Sequence, residues 1–223
     1  MKSIAKIDAS SCVFTLLTVG LLCVVAQPVM AEEQDRWWVR AGVGYADFKN
    51  DVSIKSMGTE VPGASADVKD NVIITGELGY RLTPNLSVAA TFGVPPKTNL
   101  KGRGTVSGLG TLGETTYAPL QVSLQYQFNE NGAFRPYVGV GYTYMKILSS
   151  KDAAIKNLEV DDTSGPMVLA GAEYWAEKNY GFYMDVSKYF LNTDARGTVG
   201  GMPAESHIVL DPVVIKTGIV FKF

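Results

Sequence analysis

From residue 36 to the C-terminus the chain alternates apolar side chains with polar or small ones, in eight separate runs: residues 36–48, 73–82, 86–94, 120–128, 136–145, 167–175, 182–191 and 209–223. Successive side chains of an extended strand point to opposite faces, so each run reads as a strand with one greasy side and one wet side. The clearest is the fourth, where Leu120, Val122, Leu124, Tyr126 and Phe128 alternate with Gln121, Ser123, Gln125 and Gln127. The connections alternate too. Residues 83–85, 129–133 and 177–180 are tight turns rich in turn formers, whereas 47–72, 95–119, 146–166 and 192–208 are long and polar. Short turns at one rim and long loops at the other are the plan of an all-β, eight-stranded antiparallel transmembrane β-barrel. A soluble barrel or sandwich is the alternative, but it explains neither the loop rhythm nor the tyrosines at strand ends.

The first residues follow a different rule. Lys2 and Lys6 precede the apolar run Val13 to Ala26, Pro28 breaks it, and Val29-Met30-Ala31 leads into Glu32-Glu33. That is the layout of a secretory signal cleaved after Ala31, and the run is shorter than the roughly twenty residues a spanning helix needs. The division expected is therefore 1–31 as leader and 32–223 as barrel. Cys12 and Cys23 are the only cysteines, both inside the leader, so the exported part has no disulfide framework and no thiolate chemistry. A net charge of −2 without a basic block gives no sign of a nucleic-acid partner.

The C-terminus reads Thr217-Gly218-Ile219-Val220-Phe221-Lys222-Phe223. With Gly218, Phe221 and Phe223 in that spacing it resembles the terminal signal recognised by the outer-membrane assembly machinery. The plainer reading is a last strand closing against the first. The expected setting is the outer membrane of a Gram-negative cell, among its lipids and lipopolysaccharide.

The whole exported chain resembles the outer membrane protein W (OmpW) family, AlkL among its members. The resemblance is carried by residues 134–142 (FRPYVGVGY), Gly113-Glu114-Thr115, Leu210-Asp211-Pro212 and Arg40-Ala41-Gly42. Two departures are Tyr117-Ala118-Pro119-Leu120, where the family often has His-Leu-Pro-Pro, and Val213, where it often has Trp. The resemblance implies an eight-stranded barrel with a hydrophobic funnel open to the outside and closed below. It also implies uptake of small hydrophobic molecules with lateral release into the membrane.

The inward faces can be set beside that implication. Ranked by height along the strands, Arg40, Glu77, Arg81, Glu173 and Asp185 lie low or in the middle, and a barrel of this size is only just wide enough for its side chains. These charges should pair and plug the lumen, since an unpaired buried charge is very costly. Phe48, Ile73, Tyr117, Met145, Met167, Leu169, Tyr189 and Leu191 lie high. A water-filled pore would not line its mouth this way, but a pocket for an apolar ligand would. The same cluster also reads as a dry core capped by folded loops. Pro119 and Pro212 sit in or beside strand runs, where each removes a ladder hydrogen bond. They mark either a lateral opening, with the sideways exit expected near Pro212, or merely strand starts above the membrane.

Other classes find less support. The single histidine, His207, sits beside Ser206 and Glu205, and three consecutive residues cannot converge as a catalytic triad does. No His/Asp/Glu spacing suits a metal, and glycine-rich residues 102–113 precede neither a helix nor a Lys-Ser/Thr pair, reading instead as a mobile loop. Neither a catalytic residue nor a cofactor is expected. The competing functional class is a structural or adhesion barrel without a transported ligand.

Overall fold

The computed structural model describes residues 36–48, 51–56 and 59–223, and the expected leader, residues 1–31, lies outside them. Among the described residues fifteen strands follow in chain order: β1 (Trp37–Asp47), β2 (Asp51–Ser56), β3 (Thr59–Glu60), β4 (Ala64–Val68), β5 (Asn71–Arg81), β6 (Leu86–Gly93), β7 (Lys97–Gly104), β8 (Thr111–Gln127), β9 (Phe134–Asp152), β10 (Lys156–Val160), β11 (Thr163–Trp175), β12 (Tyr180–Tyr189), β13 (Asn192–Val199), β14 (Met202–Val209) and β15 (Val213–Lys222).

Eight of them close a ring. β1 pairs with β5, then β6, β8, β9, β11, β12 and β15 follow, and β15 returns to β1, every pair antiparallel. These are the eight runs read from the alternation. Closure satisfies the main chain internally, which is the condition for crossing hydrocarbon with strands. The outward face is apolar and exposed: Val43, Ile74, Leu78, Val122, Val140, Met184 and Ile219 are each more than 40% accessible. A continuous greasy band of this kind is intolerable in water and is what a bilayer requires, so the period-two pattern faces its apolar side to lipid.

Three boundaries move. β8 begins at Thr111 and β9 runs on to Asp152, well past the expected ends at Leu120 and Met145. The last run is cut at Asp211 (φ 30°), where Pro212 restricts the residue before it, so Val209 ends β14 and Val213 starts β15.

The long connections are not loops. β4 and β7 extend the barrel wall beside β8, and β10, β13, β14, β2 and β3 form a second, five-stranded sheet beyond the same rim. Residues 102–113, read as a mobile loop, hold the end of β7, a 3-10 turn at Ser107–Leu109 and the start of β8. The alternation persists there in weaker form. Ala64, Ala66 and Val68 are buried while Ser65 and Asp67 face outward. With polar outer faces and small inner ones, the contrast that marks a membrane strand is missing. The inner faces of this extension share one apolar core with the top of the barrel, including Phe48, Val68, Leu112, Tyr117, Met145, Leu158, Leu191 and Ile208.

Candidate functional site

The lower half of the lumen is filled by ions held in register. Arg40 on β1 lies directly opposite Glu77 on β5, and its Nη1 donates to Glu77 Oε1 at 2.7 Å. From across the lumen β11 brings Glu173, whose Oε1 accepts from Arg40 Nη2 at 2.5 Å and Nε at 3.0 Å. The guanidinium also lies 4.2 Å from the Trp38 ring centre and 4.3 Å from that of Tyr137. Gln125 bridges Arg40 and Glu77, Thr91 donates to Glu77, and Gln127 and the Trp175 indole donate to Glu173. Register sets a second pair as well: Asp185 on β12 faces Lys216 on β15, with Nζ to Oδ1 at 3.3 Å, and the Tyr137 hydroxyl donates to Asp185 Oδ2 at 3.0 Å. Arg40, Glu77, Glu173, Asp185 and Lys216 are all 5% exposed or less. Such charges persist out of water only because nearly every lone pair and proton has a partner.

Four of the five expected plug residues are thus in the network. Arg81 is not: it is half-buried near the lower rim, lining a small polar space beneath Arg40, and makes no ion pair among the described residues. Lys216 and the polar partners Tyr137, Gln125, Gln127 and Thr91 complete the plug. The inward glutamines stood in the alternation pattern as its wet face.

Above the plug lies an apolar cavity enclosing about 570 Å³, its open mouth included. Of the eight expected funnel residues, Phe48, Ile73, Tyr117, Met145, Tyr189 and Leu191 line it. Met167 and Leu169 do not; they pack on Tyr137 in a separate buried cluster lower in the barrel. The floor is polar, formed by Thr75, Thr91, Gln121, Thr143 and Lys216. Tyr189 donates to Gln121, which donates to Thr91, which donates to Glu77, so the cavity base is bonded directly into the plug. A second space shares Phe48, Tyr117 and Met145 with the first, and a third shares Leu100 with the second. Apolar spaces therefore lie one above another from the plug to the core of the extension.

Pro119 and Pro212 both touch the lowest cavity, in different surroundings. Gln127 N–H donates to Asn85 O on the β6 side, and main-chain donors alternate sides along a strand. Residue 119 should therefore donate toward β6, and proline has no N–H to give. The β6–β8 register ends at Phe92 opposite Leu120. It is taken up again only where Tyr117 N–H reaches Pro96 O at 3.3 Å, beyond Pro95 and Pro96. Phe92 is an outward residue, 57% exposed, with its ring against Gly76 on the lipid face, where a Cβ would come within 2.7 Å of it. Phe92, Gly93 and Pro119 nevertheless all line the cavity. Pro212, in contrast, lies in a closed seam: Tyr189 N–H donates to its carbonyl at 3.1 Å and Leu210 N–H to Leu191 O at 2.9 Å.

The other three rim seams are each tied by an aspartate at the head of the returning strand. Asp70 accepts from the Tyr45 hydroxyl at 2.7 Å and Phe48 N–H at 3.3 Å. Asp162 accepts from the Tyr144 hydroxyl at 2.6 Å and Ile147 N–H at 2.7 Å, contacts that hold its carboxyl below the usual range. Asp211 accepts from Leu191 N–H at 3.1 Å, and its carbonyl takes Lys188 Nζ. The β6–β8 seam has prolines in place of such a tie. Asp211 stands in a stretch that carries the family resemblance, but no local pattern gave any of the three this role, because each acts across a hairpin 15 to 25 residues long.

His207 pairs with Asp194 (2.7 Å) on the outer face of the five-stranded sheet, both more than half exposed. Ser206, next in the strand, faces the opposite way into the uppermost space. Sequence spacing gave no hint of the Asp194 contact, which comes from the β13–β14 register.

The OmpW family model matches residues 33–223. A curated relative, the dibenzothiophene metabolism operon protein PahQ of Pseudomonas aeruginosa, is 34% identical over 94% of this chain and 98% of its own. Outer membrane protein AlkL of Ectopseudomonas oleovorans is 28% identical over 74% of this chain and 72% of its own. In fold, the crystal structure of OprG from Pseudomonas aeruginosa superposes with a TM-score of 0.80 at 22% identity, covering 86% of this chain and 98% of OprG. The chain is thus a multi-pass barrel in the outer membrane of a Gram-negative cell, and in such barrels the rim of short turns faces the periplasm and the long rim faces out. On the family match and the closed eight-stranded ring with its extended outer wall, the chain belongs to the OmpW family of outer-membrane proteins.

Proposed function

We propose that this chain takes small hydrophobic molecules from outside the cell and releases them sideways into the membrane, between β6 and β8 at Pro119. One observation carries the reading: the lining of an apolar cavity floored by an ionic plug includes a lipid-facing phenylalanine and the proline-broken end of the β6–β8 register. A straight path down would have to displace ion pairs that have no alternative partners, whereas a sideways path crosses a wall with missing ladder bonds. An operon named for dibenzothiophene metabolism is a fitting context for such a route, and PahQ is named for one. The exit is assigned to Pro119 and not to Pro212, whose seam is bonded. The uppermost spaces serve as the approach, and Phe48, Tyr117 and Met145, shared by two of them, as the constriction on the way down.

The test replaces cavity-lining side chains with charge, as Met145→Asp and Leu191→Asp, in full-length protein inserted in liposomes loaded with a hydrocarbon-sensitive dye. Both point inward, so insertion should persist while uptake is lost. Affinity in the wild type should rise about fourfold per added methylene, from roughly 0.8 kcal/mol each, until the cavity is full. Planar bilayers should show little ion conductance. If the aspartate variants insert and transfer hydrocarbon at the normal rate, the cavity is a dry core, and a structural or adhesion role is the better account.

A further inference from the structure

The outer extension is electrically two-sided. Across the five-stranded sheet the register sets Glu159, Arg196, Glu205, Lys55 and Glu60 in one row of alternating sign, and each cation there has acidic neighbours on both sides. The extended barrel wall differs. Lys69, Lys97, Lys101, Arg103, Lys146 and Lys151 all stand on or beside the outward face of β4, β7, β8 and β9. The carboxylates on that face are few and already engaged: Asp67 with Arg103 at 2.6 Å, Glu114 with Lys151 at 3.2 Å, Asp162 with Lys146 at 3.9 Å. Asp70, beside Lys69, is held by Tyr45 and Phe48 N–H. Lys69, Lys97 and Lys101 remain exposed, with no ion pair among the described residues; the register sets Asp67 opposite Lys101, but that carboxylate is bonded to Arg103.

These three converge. Lys69 N–H donates to Asn99 O at 3.2 Å, which places Lys69 across from the midpoint between Lys97 and Lys101. At about 3.3 Å per residue and about 4.8 Å between strands, Lys69 lies roughly 8 Å from each, within reach of one doubly phosphorylated head group. Their height is also defined. Lys97 follows Pro96 directly and pairs with Thr116, one step above the point where the proline-broken seam closes. The apolar outer face lies below it, so the lysines stand where the outer leaflet ends and its phosphates begin.

We propose that Lys69, Lys97 and Lys101 form a docking surface for the phosphorylated sugar head of an outer-leaflet glycolipid, the lipid A part of lipopolysaccharide, with its acyl chains laid against the β6–β8 seam. Three unpaired cations gathered on one face repel one another, and a phosphate-bearing partner removes that repulsion. The proposal depends on the barrel's orientation and not on whether the cavity carries a ligand.

The experiment uses the full-length barrel in phosphatidylcholine nanodiscs, with native mass spectrometry reading binding of bisphosphorylated lipid A and of the same lipid after dephosphorylation. The combined variant Lys69→Gln, Lys97→Gln, Lys101→Gln should bind the bisphosphorylated lipid on the order of 100-fold more weakly, at about fivefold per lysine. Dephosphorylated lipid should not distinguish it from wild type. A control with Lys55→Gln, Lys156→Gln and Arg196→Gln removes the same charge elsewhere and should retain binding. Equal losses in the two triple variants would reduce the effect to net charge and overturn the proposal, as would full binding by the first. Displacement of the lipid by an equal concentration of inorganic phosphate would make the patch a free-anion site and overturn it too.

Discussion

Replacing Pro119 with valine should close the wall where the cavity meets the membrane. Valine supplies the N–H that the strand alternation directs at β6, and Gly93 stands ready across the seam, its hypothetical Cβ lying 3.2 Å from Pro119 Cγ. On the β9 side residue 119 is opposite Met145 in a continuous ladder, and the even-numbered residues donate there, so nothing is lost. One ladder hydrogen bond is worth about 1 kcal/mol net in water, and more where the unpaired carbonyl would otherwise face hydrocarbon. Taking about 1–3 kcal/mol, the open fraction of the seam falls by roughly 5- to 150-fold. Hydrocarbon transfer into liposomes should fall by the same factor if opening limits release. Amide exchange supplies the control, since the new N–H at position 119 should be protected. A protected amide with undiminished transfer would refute the argument that this seam is the exit.

Other consequences follow from the same geometry. Arg40→Gln leaves Glu77 and Glu173 buried without their cation and should destabilise the barrel by about 3–5 kcal/mol, read from tryptophan fluorescence during guanidinium unfolding in lipid; a smaller loss would mean that water enters the plug. Thr143 is 1% exposed and its Oγ1 has no hydrogen-bond partner among the described residues, so Thr143→Val should stabilise by about 1 kcal/mol in the same measurement, and destabilisation would show that the hydroxyl is satisfied by bound water. In the extension, N–H groups of Leu158 and Asn157 hold the Asp152 carboxyl below its ordinary value. A depressed carboxylate stabilises above its unfolded value near pH 3.9 and loses that contribution as the pH falls through its folded value. The amide resonances of both residues should therefore shift together at a midpoint below about 3.9, and a midpoint at or above it would contradict the contact. Deleting Phe223, whose N–H reaches Trp37 O at 2.9 Å, should lower the inserted fraction and leave protein in the periplasm; unchanged insertion at low expression would make the terminal aromatic dispensable.

The eight membrane strands were legible because lipid on one face and a packed lumen on the other impose a period of two, and the rhythm of short and long connections set that pattern apart from a soluble sheet. The plug was legible for a related reason: a charge on the inward face of a narrow barrel must meet its opposite. Height was harder to read. Met167 looks like the top of its strand because Pro166 precedes it, but β11 begins at Thr163 and continues through the proline, which drops Met167 and Leu169 below the cavity floor. Tilt and stagger of the strands add to that error, since positions counted from strand ends do not share a level. The extension escaped notice because its outer residues meet water and its inner ones are often Ala, Gly or Thr. The rim aspartates escaped because no local pattern marks a residue whose partner lies across a hairpin.

The length of β9 sets how far the protein stands off its membrane. Its 19 residues at about 3.3 Å each measure roughly 63 Å along the strand, and a tilt near 40° leaves a height of roughly 48 Å against an apolar band of about 25 Å. Some 20 Å of wall, again roughly, therefore rises past the lipid into the hydrated sugar coat that makes such membranes nearly impermeable to oily solutes. An oily molecule crossing that coat unaided must dissolve in it, at a penalty of about 0.8 kcal/mol for each methylene. A wall with a greasy interior offers a detour that begins beyond part of the coat and ends in the bilayer, so the advantage grows steeply with the size of the molecule carried.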